Sequence, residues 1–300
     1  MTREEPVMDR LVIGGKTLRS RLFLGTGRFP SPAVMQQALD ACGAEVVTFA
    51  VRRVNLDGVE DDAVLQHLED RPLTYLPNTS GATNAAEAVR IARLARAAGL
   101  GDWIKVEISA DPRTLLPDPI ETLRATEALA NDGFTVLPYT SDDPILCRYL
   151  ADAGAAAVMP GGSPIGTGLG ILNPYNLGLI AESARVPVIV DAGLGSAADA
   201  AQAGEIGAAG ILVNTPVAKA RDPIAMARAM AIAFEAGRLS RAAGRIPKRP
   251  YASASSSAAG VPDALPVDLG GELRLERAVA GAGIGSGSGS SGDSSGAKGG

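Results

Sequence analysis

WIKVEI, residues 103–108, reads as a β-strand that carries a lysine and a glutamate two positions apart among apolar neighbours. Strand side chains alternate faces, so Ile104, Val106 and Ile108 point one way while Trp103, Lys105 and Glu107 point the other. One face is apolar and the other holds a charge pair. A lysine withdrawn from water is costly unless it is paired. Beside a carboxylate, a desolvated lysine is also one of the few side chains able to form an imine with a carbonyl compound at neutral pH. The hexapeptide alone fits a structural ion pair equally well, so its wider setting has to separate the two readings.

Working outward, apolar β-branched segments recur near 22–25, 46–50, 73–76, 134–138, 156–159, 187–191 and 210–214, after an N-terminal hairpin, LVIGGKTLRSRL. Alanine-rich helical stretches separate them, and capping or turn chemistry marks helix starts at Ser31 with Pro32, Asn84, Pro119, Asp143 with Pro144, Ser196, and Asp222 with Pro223. The helix from Asn84 is expected to bury Ala88, Ile91, Leu94, Ala95 and Ala98. Eight strands each followed by a helix predict an α/β fold, a TIM (β/α)8 barrel with a short N-terminal hairpin, rather than an open doubly wound sheet. Functional groups of such barrels sit at the C-terminal strand ends. Here those ends read GTG (25–27), PNTSG (77–81), KVE (105–107), PYT (138–140), MPGG (159–162), DAGLG (191–195) and NT (214–215). From about 243 the pattern collapses. Residues 1–254 are expected to form the catalytic barrel and 255–300 a Gly/Ser-rich, largely disordered tail, with at most a weak helical turn at GELRLERAV.

Composition narrows the function. Three hundred residues at 46% hydrophobic content suffice for a large core, while a net charge of -5 and 4% aromatics argue against a nucleic-acid groove. Cys42 and Cys147 lie far apart without a CxxC, and His67 is the sole histidine. Neither a disulfide framework nor a metal site is suggested, so acid–base work falls to carboxylates and lysine. The charged start MTREEPVMDR does not read as a signal peptide and no run is long enough to cross a bilayer; a cytoplasmic protein with no membrane partner is expected. No cluster suggests a metal or an organic cofactor.

In VPVIVD (186–191), alternation sends Pro187, Ile189 and Asp191 to one face, so Asp191 can reach the same barrel mouth as Lys105 and Glu107. A lysine with two carboxylates suits imine formation, tautomerisation and dehydration, because each step moves a proton next to a carbonyl carbon. Glycine-rich loops after strands six, seven and eight suggest a phosphate cradle of backbone amides aided by a helix N-terminus, with Ala192, Gly193, Asn214, Thr215 and Gly166 as candidates. Only five lysines stand against 23 arginines, and Lys105 alone lies inside a strongly apolar strand. An arginine there would carry the charge but form no imine.

The motifs LFLGTGRF, LPNTSGA, KVEI, LLPDPIETL, GFTVLPYTSDDP, AAVMPGGSPIG, VPVIVDAGLG and ILVNT together resemble the thiazole synthases of thiamin biosynthesis, the ThiG-type enzymes, from about residue 10 to 255. The resemblance implies a cytoplasmic TIM-barrel transferase that makes thiazole phosphate from 1-deoxy-D-xylulose 5-phosphate, 2-iminoacetate (dehydroglycine) and sulfur. That sulfur arrives as a thiocarboxylate on a small ubiquitin-like carrier protein. Motif by motif, it implies that Lys105 forms the imine with the sugar ketone and that Glu107 and Asp191 move protons. Gly166, Ala192, Gly193, Asn214 and Thr215 would hold the phosphate; the choice of Gly166 among neighbouring glycines rests on the resemblance alone. It also implies a homotetramer and, in some organisms, a complex with the enzyme supplying the imine. Another Schiff-base barrel acting on a sugar phosphate, such as an aldolase, and a metabolite-binding barrel without turnover share the same residues.

Overall fold

Two consecutive glycines turn the chain back on itself at the start. Gly14 and Gly15 both take positive φ (54° and 78°), the two-residue turn whose twist matches that of paired strands. They join β1 (Leu11–Ile13) to β2 (Lys16–Leu18), antiparallel with Ile13 opposite Lys16. The structure is a computed structural model that describes residues 10–53, 66–68, 71–109, 111–253 and 255.

Eight parallel strands follow: β3 (Leu22–Gly25), β4 (Val46–Ala50), β5 (Thr74–Asn78), β6 (Trp103–Val106), β7 (Thr135–Thr140), β8 (Met159–Pro160), β9 (Ile189–Asp191) and β10 (Gly210–Val213). They pair in the order β8-β7-β6-β5-β4-β3-β10-β9, and parallel bridges Val158 to Val188 and Gly161 to Asp191 join the two ends. The sheet therefore closes as the expected barrel. Residues 156–159 were expected to be a strand, whereas β8 is only Met159–Pro160 and starts later. Its second residue is already Pro160, and Gly161 and Gly162 follow at once; neither proline nor glycine sustains a ladder. Likewise β6 ends at Val106, although Ile108 still bridges Ala82.

Alternation sorts the side chains into two cores. Phe23, Val46, Leu76, Leu137, Met159, Ile189 and Leu212 point inward and pack with Trp103, and Leu11, Ile13 and Leu18 of the hairpin close that core from the N-terminal end. Their strand neighbours point outward against helices, as Ile104, Val106 and Ile108 do against Ala88, Ala92, Ala125 and Leu129. At about 25 cal/mol per Å² of apolar surface buried, these two layers supply the dominant stabilising term.

Every helix start named from the sequence is present. Ser31 accepts from the Val34 amide and Asn84 from the Glu87 amide, and Asp118, Asp143 and Asp222 cap helices that open on a proline. Two helices had no start named from the sequence: Pro174–Ser183, which is the helix expected after the sixth barrel strand and is capped by Asn173, and the short Thr215–Ala218, which was not anticipated. One stripe needs correction. The helix Ala85–Ala97 buries Ala88, Ala92 and Ala95, while Leu94 is 44% exposed and Ala98 lies beyond the helix end. Positions i, i+4 and i+7 from Ala88 face the barrel, and small side chains there bring the helix close to the sheet; Leu94 falls on the neighbouring row.

The chain divides into two units, Met1–Pro247 and Lys248–Gly300. The barrel belongs to the first. In the second, the described residues 248–253 and 255 are exposed and form neither helix nor strand, and the expected tail with its GELRLERAV turn lies otherwise outside the described residues. Among the described residues no helix is long and apolar enough to cross a membrane.

Candidate active site

Lys105 stands two residues beyond Trp103 on β6, and Asp191 two beyond Ile189 on β9, so both project into the barrel one layer above the apolar filling. They are 4% and 3% exposed and meet in an ion pair between Lys105 Nζ and Asp191 Oδ2. Glu107 Oε2 lies 3.8 Å from the same ammonium. The three residues named from the sequence thus come together. Asp191 Oδ2 makes no hydrogen bond besides this ionic contact, which leaves it free to receive a proton.

Burial alone would push the Lys105 pKa down, but the charges of Asp191 and then Glu107 outweigh it and hold the amine protonated, above its ordinary value. Burial, opposed by Lys105, pushes the Asp191 carboxyl up. The pair holds its protons jointly, with the resting charge on lysine.

Tyr139 is a member of this layer that sequence reasoning passed over. It is 1% exposed, and Lys105 Nζ lies 5.5 Å from its ring centroid. Its ring leans over Gly161: a Cβ built there would stand 3.4 Å from Tyr139 Cε2 and 3.6 Å from both the phenol oxygen and the Asp191 carbonyl. Burial, followed by the charges of Asp191 and Glu107, raises the phenol pKa, so the hydroxyl stays a neutral donor. Alternation beyond the inward Leu137 was the available signal.

Above this layer opens a cavity of about 830 Å³. Lys105, Arg28, Arg52 and Lys219 line it against only two carboxylates, Glu107 and Asp191, a balance that favours an anionic guest. All five expected phosphate residues line its rim. Gly166 and Thr215 face each other, since a Cβ on Gly166 would lie 3.9 Å from Thr215 Oγ1. The amides of Gly166, Gly193 and Thr215 donate no hydrogen bond among the described residues. Gly193 has φ 74°, and a Cβ there would fall 1.9 Å from Ser163 Oγ and 2.6 Å from Ser163 N and O, so only glycine fits. Ala192 beside it is also left-handed, φ 63°.

Two side chains at the rim are already engaged. The Asn214 side chain is committed to structure: with its nitrogen turned toward the carbonyls it donates to Gly25 O (3.1 Å) and Gly27 O (2.7 Å), tying β10 to the loop after β3. A helix N-terminus was expected to aid the loops after the seventh and eighth barrel strands, and the helix after β9 does not offer one freely. Asp199 of that helix occupies the position instead, its Oδ2 accepting from the amides of Gly195 (2.8 Å) and Ser196 (3.0 Å). Elsewhere, Cys42 and Cys147 are both free and buried, and His67 is exposed, its carbonyl accepting from Gln36 Nε2 at 2.7 Å. Among the described residues no group of three or more His, Cys, Asp or Glu is placed to hold a metal.

Fold and site define a (β/α)8 barrel with a buried lysine between two carboxylates at its C-terminal mouth, under a glycine-rich rim suited to an anion. The family model described as "Thiazole biosynthesis protein ThiG" matches residues 12–257, and the chain belongs to that family, the thiazole synthases of thiamin biosynthesis. It is similar to the thiazole synthase of Halalkalibacterium halodurans, 72% identical over 246 residues, which cover 82% of this chain and 95% of the relative. The thiazole synthase of Bacillus subtilis is 56% identical over 255 residues, 85% of this chain and all (100%) of the relative. Among solved structures, the crystal structure of the Amycolatopsis orientalis BexX/CysO complex superposes with a TM-score of 0.73 at 33% identity, covering 80% of this chain and 98% of that one.

Proposed function

We propose that the cavity condenses 1-deoxy-D-xylulose 5-phosphate with 2-iminoacetate and carrier-borne sulfur to give thiazole phosphate, through an imine on Lys105. The observation that carries this reading is the placement of one buried lysine amine between Asp191 and Glu107, beneath a rim of unengaged backbone amides. The sugar phosphate anchors its phosphate on the amides of Gly166, Ala192, Gly193, Asn214 and Thr215, which sets the ketone over Lys105. Asp191 takes the ammonium proton, and the neutral amine adds to the ketone carbon. The carbinolamine then loses water, protonated by a carboxylic acid, and the iminium remains. That cation acidifies the neighbouring C–H, and Glu107 takes the proton. Tyr139, a neutral donor with its ring near the amine, steadies the positive charge through each step.

Under this reading the protein is a sulfur-transferring enzyme of the cytoplasm, acts as a homotetramer and needs neither metal nor organic cofactor. Its partners are a ubiquitin-like carrier bearing a C-terminal thiocarboxylate and, in some organisms, the enzyme that supplies the imine. A relative solved as a BexX/CysO complex supports a protein partner. Borohydride reduction in the presence of 1-deoxy-D-xylulose 5-phosphate, followed by peptide mass mapping, tests the central step. A reduced adduct on Lys105 is expected; no adduct would leave a barrel that only binds. Dependence of turnover on the thiocarboxylated carrier then separates thiazole formation from aldol cleavage.

A further inference from the structure

PNTSG (77–81) stands on the barrel rim, and nothing in the imine or phosphate chemistry uses it. In the structure this turn meets Arg52, which follows β4 in a single 3-10 turn, Val51–Arg53. Arg52 Nη2 donates to Ser80 Oγ at 3.5 Å, and its guanidinium lies over Gly81, where a Cβ would fall 2.6 Å from Nη1. Gly81 itself has φ 99°, a left-handed conformation that favours glycine. Arg52 forms no ion pair with any described acidic side chain, although it lines the cavity that holds Lys105. Below it, Asn78 donates to Thr48 Oγ1 (3.2 Å) and accepts from the Ser80 amide (3.2 Å), which fixes the turn.

Barrel order gives the arrangement its meaning. Around the ring β4 faces β8 and β5 faces β9, so Arg52 and Ser80 stand across the mouth from the loops carrying Gly166 and Gly193. Asn78 is paired with Lys105 in the sheet, so the turn that bears Ser80 rises beside the amine. Of the other exposed cations of the cavity, Lys219 follows β10, next to β9 on the phosphate side, and Arg28 follows β3, between β10 and the β4 that leads to Arg52. One anchored anion is thus provided for on one wall, and a second, fork-shaped donor waits on the opposite wall with the amine between them.

We infer that Arg52 and Ser80 form a second anion subsite that takes the carboxylate of the small 2-imino acid and brings its imine carbon toward the sugar held on Lys105. This rests on the thiazole-forming reading above and names the place of its second substrate. A planar carboxylate matches the two parallel N–H groups of a guanidinium, whereas a lysine would supply only a point charge. Arg52 is a binding residue here, and the prediction concerns affinity for one substrate only.

Oxamate, a stable carboxylate of similar size, is the probe, titrated calorimetrically into the full chain, wild type and Arg52→Met, with 1-deoxy-D-xylulose 5-phosphate present. Wild type is expected to bind it, and the variant to bind on the order of tenfold more weakly or not at all, the loss of one charge-assisted pair. In turnover assays with glyoxylate and ammonia as the source of imine, Arg52→Met should raise the KM for glyoxylate by a similar factor. Its KM for the sugar phosphate and its borohydride-trapped Lys105 adduct should stay within about twofold of wild type, and Arg52→Lys should recover only part of the loss. Equal oxamate binding by both proteins, or none by wild type, overturns the subsite. A rise confined to the KM of the sugar phosphate, or of the thiocarboxylated carrier, also overturns it and assigns the guanidinium elsewhere. Failure of wild type to form any Lys105 adduct is read separately and removes the imine mechanism, while oxamate binding still decides whether the carboxylate site exists.

Discussion

Lys105 and Asp191 sit on strands three steps apart around the barrel, β6 and β9, and their side chains close that distance as an ion pair with each residue under 5% exposed. Tyr139 on β7 and the bare Gly161 after β8 occupy the positions between them. A lysine on an adjacent strand would meet its carboxylate along the wall. Here the contact crosses the mouth and places the amine over the cavity floor.

Breaking that pair should cost more than activity. Asp191→Asn removes the closer of two carboxylates from a buried ammonium, and a loss of about 3–5 kcal/mol in urea denaturation is expected. The double variant Lys105→Met with Asp191→Leu should regain much of that stability while forming no borohydride-trapped adduct. A double variant as unstable as the single one would show that the pair itself holds the barrel together.

Glu107→Gln should separate imine formation from the later proton transfers. Asp191 still receives the lysine proton, so the Lys105 adduct with 1-deoxy-D-xylulose 5-phosphate should form in full, while kcat for thiazole formation falls about 10²–10⁴-fold. Adduct mapping and single-turnover kinetics on the same preparation check this. Loss of the adduct would move Glu107 to the first step.

Gly193→Ala forces a methyl within 1.9 Å of Ser163 Oγ and 2.6 Å of the Ser163 backbone, at a φ of 74°. The loop has to shift, and the unengaged amides beside it shift too. The expected result is a KM for the sugar phosphate raised by about tenfold or more, with a stability loss of about 1–3 kcal/mol. Unchanged phosphate affinity would remove this loop from the cradle.

Alkaline pH should reveal the two buried thiols. Burial pushes Cys42 up from 9.0 to about 11 and Cys147 from 9.0 to about 12. Because the folded values are raised, their contribution is fully present below about pH 9 and drains away as pH climbs, since the unfolded chain ionises first. At about 1.4 kcal/mol per pH unit, each thiol withdraws on the order of 2 kcal/mol by pH 11. Cys42→Ala with Cys147→Ala should flatten the fall of stability between pH 9 and 11 in urea titrations, whatever its cost at neutral pH.

Much of the architecture was written in short-range pattern. Period-two alternation in WIKVEI and VPVIVD put Lys105, Glu107 and Asp191 on the inner face, because side-chain direction in a strand depends only on residue parity. Ser31, Asn84, Asp143 and Asp222 announced helices, since a cap needs only a side-chain oxygen and the next few amides. Where the pattern was thin, parity failed to help. The two-residue β8, which ends on Pro160 and runs into Gly161 and Gly162, was placed too early, and the helix after it was expected without its start at Asn173. Leu94 was assigned to a buried stripe one row from the true one, because composition does not say which row of a helix the barrel wall will meet.

The sequence alone determined the inventory: one lysine in an apolar strand, two carboxylates of matching parity, and glycine loops at the strand ends, all consequences of local stereochemistry. Tertiary structure decided everything that depends on distance through space. It brought Tyr139 over Gly161 toward the amine, gave the helix N-terminus after β9 to Asp199, turned Asn214 inward to hold Gly25 and Gly27, and set Arg52 across the mouth from the phosphate loops. It also decided the resting charge on Lys105. Desolvation and the two carboxylates pull that charge in opposite directions, and the outcome depends on separations that only the closed barrel fixes.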